Sequence, residues 1–345
     1  GANGCAGDAF TVTVTVDPEP VVADQFLTVC SEGASGIDFN GSSTVAAATY
    51  NITNIELDGL TVFAGSPAVG NGLTAADLAD DAFTNTTNGA VDVVYTVVPV
   101  SAGGCQGDSF LVTITVEPEP VVSDQTVGPV CSDQPLGANF NSSTSVAAAT
   151  YNITNIEFNG LTVSAGGAAV GNGLTAADLA DDAFTNTTNT PQDVTYTVVP
   201  VTAGGCEGQS FTVTVTIDPE PVVAPQSTTV CSDEAVGLTL ENDTDGPSVA
   251  TYNLIDIVPE SGLTAGGGNQ TTQDGLSDNA IVNDTWENLT SAALDVVYTF
   301  VPIGANGCAG DAFTVTVTVD PEPVGVSTTE DVCSDVPFSF DPQGN

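Results

Sequence analysis

One block recurs through the chain and dictates its organisation: G-C-x-G-x-x-F, an alternating strand, then Pro-Glu-Pro. It reads GCAGDAFTVTVTVDPEP from Gly4, GCQGDSFLVTITVEPEP from Gly104, GCEGQSFTVTVTIDPEP from Gly205 and GCAGDAFTVTVTVDPEP from Gly307. The copies lie about one hundred residues apart. A period of that length, carried by strands that alternate apolar and polar residues, describes an array of whole domains rather than a solenoid of helical pairs. It divides the chain into three full units, residues 23–122, 123–223 and 224–324. Residues 1–22 read as the last hairpin and strand of a preceding repeat, and residues 325–345 as the first strands of a following one. The expectation is a segment of a longer tandem array.

Within the first unit, DQFLTVCSEG reads as a strand leading to Cys30 and a turn. VAAATYNITNIEL reads as a strand around Tyr50, and GLTVFAGSPAVGNG as strand and turn residues in alternation. GLTAADLADDAFTNTT suits either a helical turn, favoured by Ala and Leu, or a loop with an edge strand. VDVVYTVVPV and FLVTITVEP alternate cleanly and close the unit. About seven short strands in about one hundred residues predict an all-β fold of immunoglobulin-like β-sandwiches. Trp286 in the third unit aligns with Phe83 and Phe184 at a fixed offset from the strand tyrosines Tyr95, Tyr196 and Tyr298, which points to core packing. Pro-Glu-Pro-Val fixes φ twice and favours a short, semi-rigid connector. The tandem units are therefore expected to form an extended rod.

Composition narrows function. The chain has no Lys, Arg or His, and its carboxylates sum to a formal charge of −44. Phosphate recognition needs cations, so nucleic acid is excluded as a partner, and an anionic membrane surface is equally unsuited. Its apolar runs alternate with Thr and are too short to cross a bilayer, so no direct membrane insertion is expected. A hydrophobic content of 41% with ordered strand patterning argues against disorder. Without His or Lys the common general bases and Schiff-base nucleophiles are missing, and no carboxylate pair marks a cleft; the chain is not expected to be an enzyme.

Eight cysteines alternate between a V-C-S context (Cys30, Cys131, Cys231, Cys333) and a G-C-x-G context (Cys5, Cys105, Cys206, Cys308). No C-x-x-C occurs, so disulfides in an oxidising compartment are the better reading than zinc or redox chemistry. Two patterns are open: neighbours paired across each linker, or pairs within each unit. After Cys105 the chain runs down a whole extended strand before it reaches the next unit. In a sandwich the start of the first strand and the turn before the last share a pole, so geometry favours the second, Cys30–Cys105, Cys131–Cys206 and Cys231–Cys308. Cys5 and Cys333 then pair outside the sequence.

No cofactor is required; calcium is the one the residues leave open, since hard cations take oxygen ligands. The candidate ligands are Asp77, Asp80 and Asp81, repeated as Asp178, Asp181 and Asp182, with Asp243 and Asp245 in an acidic loop of the third unit. The competing reading is a solvated acidic surface. Asn51 and Asn85 head Asn-x-Thr triplets with the form of glycosylation sequons.

The ordered set V-C-S-D, A-T-Y-N, N-x-T, V-x-Y-T-V-V-P and G-C-x-G-x-x-F-T-V-T-V-x-P-x-P resembles the PKD-like, immunoglobulin-like repeats of large Bacteroidota surface proteins. The resemblance covers essentially the whole chain. It departs at Tyr50, Tyr151 and Tyr252, where a tryptophan is the family's habit. Such repeats occur in long adhesins, including gliding-motility adhesins exported by type IX secretion, and as accessory modules of secreted enzymes. The resemblance implies an extracellular, cell-surface stalk or filament segment of an adhesin. Its partners would be neighbouring repeats, surface polysaccharide or other adhesin chains. The alternatives it leaves are repeats that bind glycans or a surface themselves, and spacers of a secreted enzyme.

Overall fold

The computed structural model describes residues 2–39, 45–138, 145–241 and 246–322, and beyond these residues 325, 327, 329, 331–335 and 337. Asp243 and Asp245 lie outside the described residues. The chain forms three tandem immunoglobulin-like β-sandwiches.

In the first, β1 (Gln25–Cys30), β2 (Ala47–Glu56), β3 (Thr61–Ala64) and β4 (Gly70–Leu73) lead to a single helical turn, α1 (Ala76–Ala79). Then follow β5 (Ala82–Thr84), β6 (Val91–Ser101) and β7 (Phe110–Glu117). The main sheet runs β1-β7-β6-β2-β4, and β3 pairs with β5 in the second layer. The ambiguous GLTAADLADDAFTNTT stretch holds both a helical turn, α1, and the short strand β5; beside the start of α1 the Asp77 carboxylate accepts from the N–H and hydroxyl of Thr74, both at 2.7 Å. The second sandwich repeats the order as β8 (Gln125–Cys131), β9 (Thr150–Glu157), β10 (Thr162–Ala165), β11 (Gly171–Leu174), α2 (Ala176–Ala180), β12 (Ala183–Thr185), β13 (Gln192–Val201) and β14 (Phe211–Asp218). The third comprises β15 (Gln226–Cys231), β16 (Val249–Pro259), β17 (Leu263–Ala265), β18 (Gln273–Leu276), β19 (Trp286–Asn288), β20 (Leu294–Gly304) and β21 (Phe313–Asp320). Turns at 278–283 stand where the helical turn sits in the other two.

Alternation sets the core. Val93, Tyr95 and Val97 on β6 and Val112, Ile114 and Val116 on β7 are fully withdrawn from solvent, while the Thr positions between them face outward. Phe83, Phe184 and Trp286 are buried at matching places, in keeping with the core role expected for Trp286. Tyr50 occupies the core as well, its ring 4.4 Å from that of Phe39 between centroids. One linker valine per unit, Val22, Val122 or Val223, joins the core of the sandwich it enters.

The direction of the first strand decides how units connect. β1 runs parallel to β7, with Gln25 opposite Val112 and Cys30 opposite Glu117. Cys30 therefore stands at the exit pole of its sandwich, beside the outgoing linker. Cys105, in the hairpin before β7, stands at the entry pole. The same parallel register places Cys131 opposite Asp218 and Cys231 opposite Asp320.

Residues 10–17 show that sequence alone does not make this strand. They are identical to β21, yet they form no ladder, and Phe10, Val12, Val14 and Val16 are largely exposed. β21 is a strand because β15 and β20 flank it and satisfy its backbone groups. No such partners lie beside residues 10–17 among the described residues.

Candidate functional site at the inter-unit joints

The repeated motifs converge on the joints. At the exit pole of the first unit, V-C-S meets N-x-T. The Ser31 N–H donates to the Glu117 carbonyl at 2.8 Å, and Ser31 Oγ accepts from the N–H of Asn85 at 3.0 Å. Asn85 Nδ2 donates to the carbonyls of Gly89 and Val116 at 2.9 and 2.7 Å, and its Oδ1 accepts from the N–H and hydroxyl of Thr87. Asn186 and Asn288 make the same set. The residue after V-C-S takes a left-handed conformation, φ 63° at Glu32 and 62° at Asp133 and Asp233. The triplet at Asn85 is thus a buried clamp on the end of β7, and both Nδ2 hydrogens are engaged; it does not present a sequon.

The entry pole is built from G-C-x-G. Gly104, Gly205 and Gly307 have φ between 82° and 86°, which turns the hairpin. The second glycine lies under the incoming linker. A Cβ on Gly107, Gly208 or Gly310 would stand 1.8–1.9 Å from the carbonyl oxygen of Pro20, Pro120 or Pro221. Pro20, Pro120 and Pro221 are correspondingly buried. Further clamps differ by joint: Ser145 Oγ donates to the Glu119 carbonyl and accepts from the Val121 N–H, both at 2.9 Å, and Asn306 Nδ2 donates to the Pro219 carbonyl at 3.1 Å. The linker is seated at several points along the entry pole it crosses.

Disulfides cross these joints. Cys30 bonds Cys206 and Cys131 bonds Cys308, with Cα atoms 5.4 and 5.5 Å apart. The within-unit pairs Cys30–Cys105, Cys131–Cys206 and Cys231–Cys308 are not formed, because the parallel first strand carries each V-C-S cysteine to the pole opposite its own unit's hairpin. The exit-pole cysteine of one unit instead meets the entry-pole hairpin of the next. Cys206 and Cys308 become fully buried, whereas Cys231 is exposed and Cys105 half-buried, and neither is bonded.

Acidic groups also meet at the joints. Burial pushes the Glu220 carboxyl up to about 7, aided by the charge of Asp133 and a hydrogen bond to it. Burial acts to raise Asp133 too, yet hydrogen bonds with Thr185, Ser164, Glu220 and Ser132 outweigh it and hold Asp133 below the usual carboxylate range. Glu119 is raised by burial and by Glu32.

The calcium candidates are shared out among other tasks. Asp77, Asp80 and Asp81 do border one cavity of about 630 Å³. Asp77 caps α1, as Asp178 caps α2. Asp81 is buried, its carboxylate accepting from the Tyr95 hydroxyl at 2.7 Å and the Ser66 N–H at 3.1 Å. Asp182 and Asp284 accept from Tyr196 and Tyr298 in the same way, at 2.8 and 2.9 Å. Asp182 Oδ1 has no partner among the described residues. Burial raises all three carboxyls, partly offset by these hydrogen bonds. Asp80 and Asp181 cap the ends of α1 and α2. Among the described residues no three acidic side chains are placed to share an ion.

A family model described as "PKD-like domain" matches residues 28–120, 128–221 and 228–323. None of the curated proteins matches the sequence. Solved structures similar to it include Drosophila N-cadherin EC1-4, 11% identical over 86% of this chain and 74% of that one, with a TM-score of 0.22. The I67–I69 I-band fragment of titin is 13% identical over 89% and 98%, with a TM-score of 0.26. A Bacteroides ovatus mixed-linkage glucan utilization locus protein, SGBP-B, is 17% identical over 95% and 77%, with a TM-score of 0.16.

Proposed function

The chain belongs to the PKD-like domain family, three units in tandem, and we propose that it is a load-bearing stalk segment of an extracellular cell-surface adhesin. The observation that carries this reading is the pair of disulfides that bridge successive units, Cys30–Cys206 and Cys131–Cys308. A unit that acts alone has no need of a covalent bond to its neighbour. A stalk does, because bending and extension concentrate at linkers. Disulfides also suit an oxidising, extracellular setting. The motif resemblance to the repeats of large Bacteroidota adhesins supports this reading, in which the stalk projects an adhesive region and serves attachment or gliding.

Topology supports the mechanical role. Tension enters a unit at the start of β1 and leaves at the end of β7. Those strands are parallel neighbours paired over six positions, Gln25–Cys30 against Val112–Glu117. Pulling them apart loads the whole ladder in shear rather than one hydrogen bond at a time. Negative charge along the array keeps it extended and discourages lateral collapse.

Small-angle scattering on the oxidised chain tests the reading. An elongated particle, with a radius of gyration well above the roughly 20 Å of a compact globule of this length, is expected. A compact particle overturns it. Immunogold labelling of source cells with antibody to one unit is expected to decorate thin surface fibres; label confined to soluble particles favours a spacer of a secreted enzyme.

A further inference from the structure

We propose that Cys231 and Cys105 are the two open rungs of the same inter-unit disulfide ladder. Cys231 takes the G-C-x-G cysteine of a further PKD-like unit, and Cys105 takes the V-C-S cysteine of another.

Neither is a lone thiol, because each stands on a scaffold that already holds a disulfide elsewhere in the chain. Cys231 lies opposite Asp320, as Cys30 lies opposite Glu117 and Cys131 opposite Asp218. The Ser232 N–H donates to the Asp320 carbonyl at 2.9 Å, Ser232 Oγ accepts from the Asn288 N–H at 2.9 Å, and Asn288 Nδ2 grips the Val319 carbonyl at 2.7 Å. Asp233 has the same left-handed φ as Asp133. The exit pole of the third unit is therefore assembled as the other two are, with its cysteine uncovered. The entry pole of the first unit matches equally well. The Cys105 N–H donates to Ser101 Oγ at 3.1 Å, as Cys206 does to Thr202 Oγ1 at 3.0 Å, and Gly107 sits under Pro20 as Gly208 does under Pro120. Residues 10–17, which lead to that pole, carry β21's sequence with an exposed apolar face.

The chemistry is a two-electron oxidation. The Cys231 thiolate attacks a small-molecule disulfide such as oxidised glutathione and releases one glutathione thiolate. The incoming cysteine thiolate then attacks Cys231 Sγ, forms the protein disulfide and releases the second. The protein thiols lose two protons and two electrons, and glutathione disulfide is reduced. The inference concerns the two unbonded cysteines Cys105 and Cys231, and its failure is separable from that of the stalk reading.

The test lengthens the full chain by placing a second copy of residues 121–223 after Pro323, then refolds it in a glutathione redox buffer. Chymotryptic peptides are mapped without reduction, since the chain offers trypsin no site. The expected result is Cys231 joined to the added copy of Cys206, with Cys30–Cys206 and Cys131–Cys308 also formed. If those two form while Cys231 remains open to alkylation, or joins another cysteine, the proposal is overturned. If neither of the two forms, the joints themselves are wrong, and the stalk reading falls with them. The unlengthened chain, oxidised at high concentration, tells whether the further unit can come from a second copy: Cys231–Cys105 dimers on a non-reducing gel say that it can. Retention of the dimer in Cys333→Ser and its loss in Cys105→Ser confirm the assigned rungs; the reverse overturns them.

Discussion

Gly208 lies directly beneath Pro120: a Cβ on the glycine would stand 1.9 Å from the proline's carbonyl oxygen. Backbone cannot yield as a side-chain tip can, so Gly208→Ala must lift the linker from the hairpin or deform both. A loss of about 1–3 kcal/mol is expected, as for other forced overpacking. Gly204→Ala is the control, because its nearest neighbour would be Thr202 Oγ1 at 3.7 Å. Chemical denaturation should show the midpoint falling for the first variant and holding for the second. Equal stability of the two would mean that the linker is not seated on the hairpin.

Asn186 joins the end of β14 to the loop that precedes β13. Its Nδ2 serves the carbonyls of Thr190 and Ile217 at 3.0 and 2.8 Å, and its Oδ1 takes both donors of Thr188. Asn186→Ala removes the side-chain donor to the Ile217 carbonyl in the buried clamp and the acceptor of both Thr188 contacts, while the exposed Thr190 carbonyl keeps the Thr188 hydroxyl. A cost of about 2–4 kcal/mol is expected from losing several such bonds. Asn186→Asp retains the acceptor and loses the donors, so it should fall between. Denaturation midpoints measure both. In a glycosylating host, no glycan is expected at Asn85 or Asn186, checked by intact mass.

Most of the sandwich was legible from alternation, because inward-facing positions such as Val93, Tyr95 and Val97 recur with period two and need no long-range knowledge. The joint was not. Counting places two cysteines in every unit under any pairing, and local pattern carries nothing about whether β1 runs with or against β7. That single direction moves Cys30 from one pole to the other and turns a within-unit bond into a bond between units. Asp81 and Asp182 read as calcium candidates or members of a solvated acidic surface, yet they and Asp284 are each buried against a tyrosine. A signal was present: each stands fourteen residues before its tyrosine, even in the divergent third unit. The glycine of G-C-x-G was visible as a motif, but its reason lies in a linker carbonyl about ninety residues upstream in sequence.

Acid should stabilise this protein. With no cationic side chain there are no ion pairs for acid to break. The carboxyls of Glu220, Glu119, Asp81, Asp182 and Asp284 are instead raised in the folded state, chiefly by burial. A raised carboxyl binds more protons folded than unfolded between its two pKa values, so stability falls as pH rises through that interval. For Glu220 the interval runs from the ordinary glutamate value to about 7. Asp133 and Asp178 are lowered and act the other way, losing their contribution only as pH drops through their depressed values. Urea midpoints should therefore rise from pH 8 to pH 5. Glu220→Gln should flatten the upper part of that rise, to an extent limited by the solvent that still reaches this linker side chain. A midpoint that falls over the same range contradicts the assignment.

The crossed disulfides should shorten the chain that force can draw out. A direct covalent path from Gln25 to Asp320 follows the backbone throughout. With both bonds intact a shorter route exists: along β1 to Cys30, across to Cys206, back through the chain to Cys131, across to Cys308 and on through β21. That route is about one third as long, so fully unfolded chains should differ in end-to-end reach by roughly 700 Å at about 3.5 Å per residue. Pulling on the chain's two ends in an optical trap, with and without reductant, measures this difference. Within-unit bonds would instead leave each linker and terminal strand in the path and lock only the interior of each sandwich, giving separate, equal steps as units open. One large block withheld until reductant is added, rather than a ladder of independent steps, is the outcome expected of sandwiches bonded each to the next.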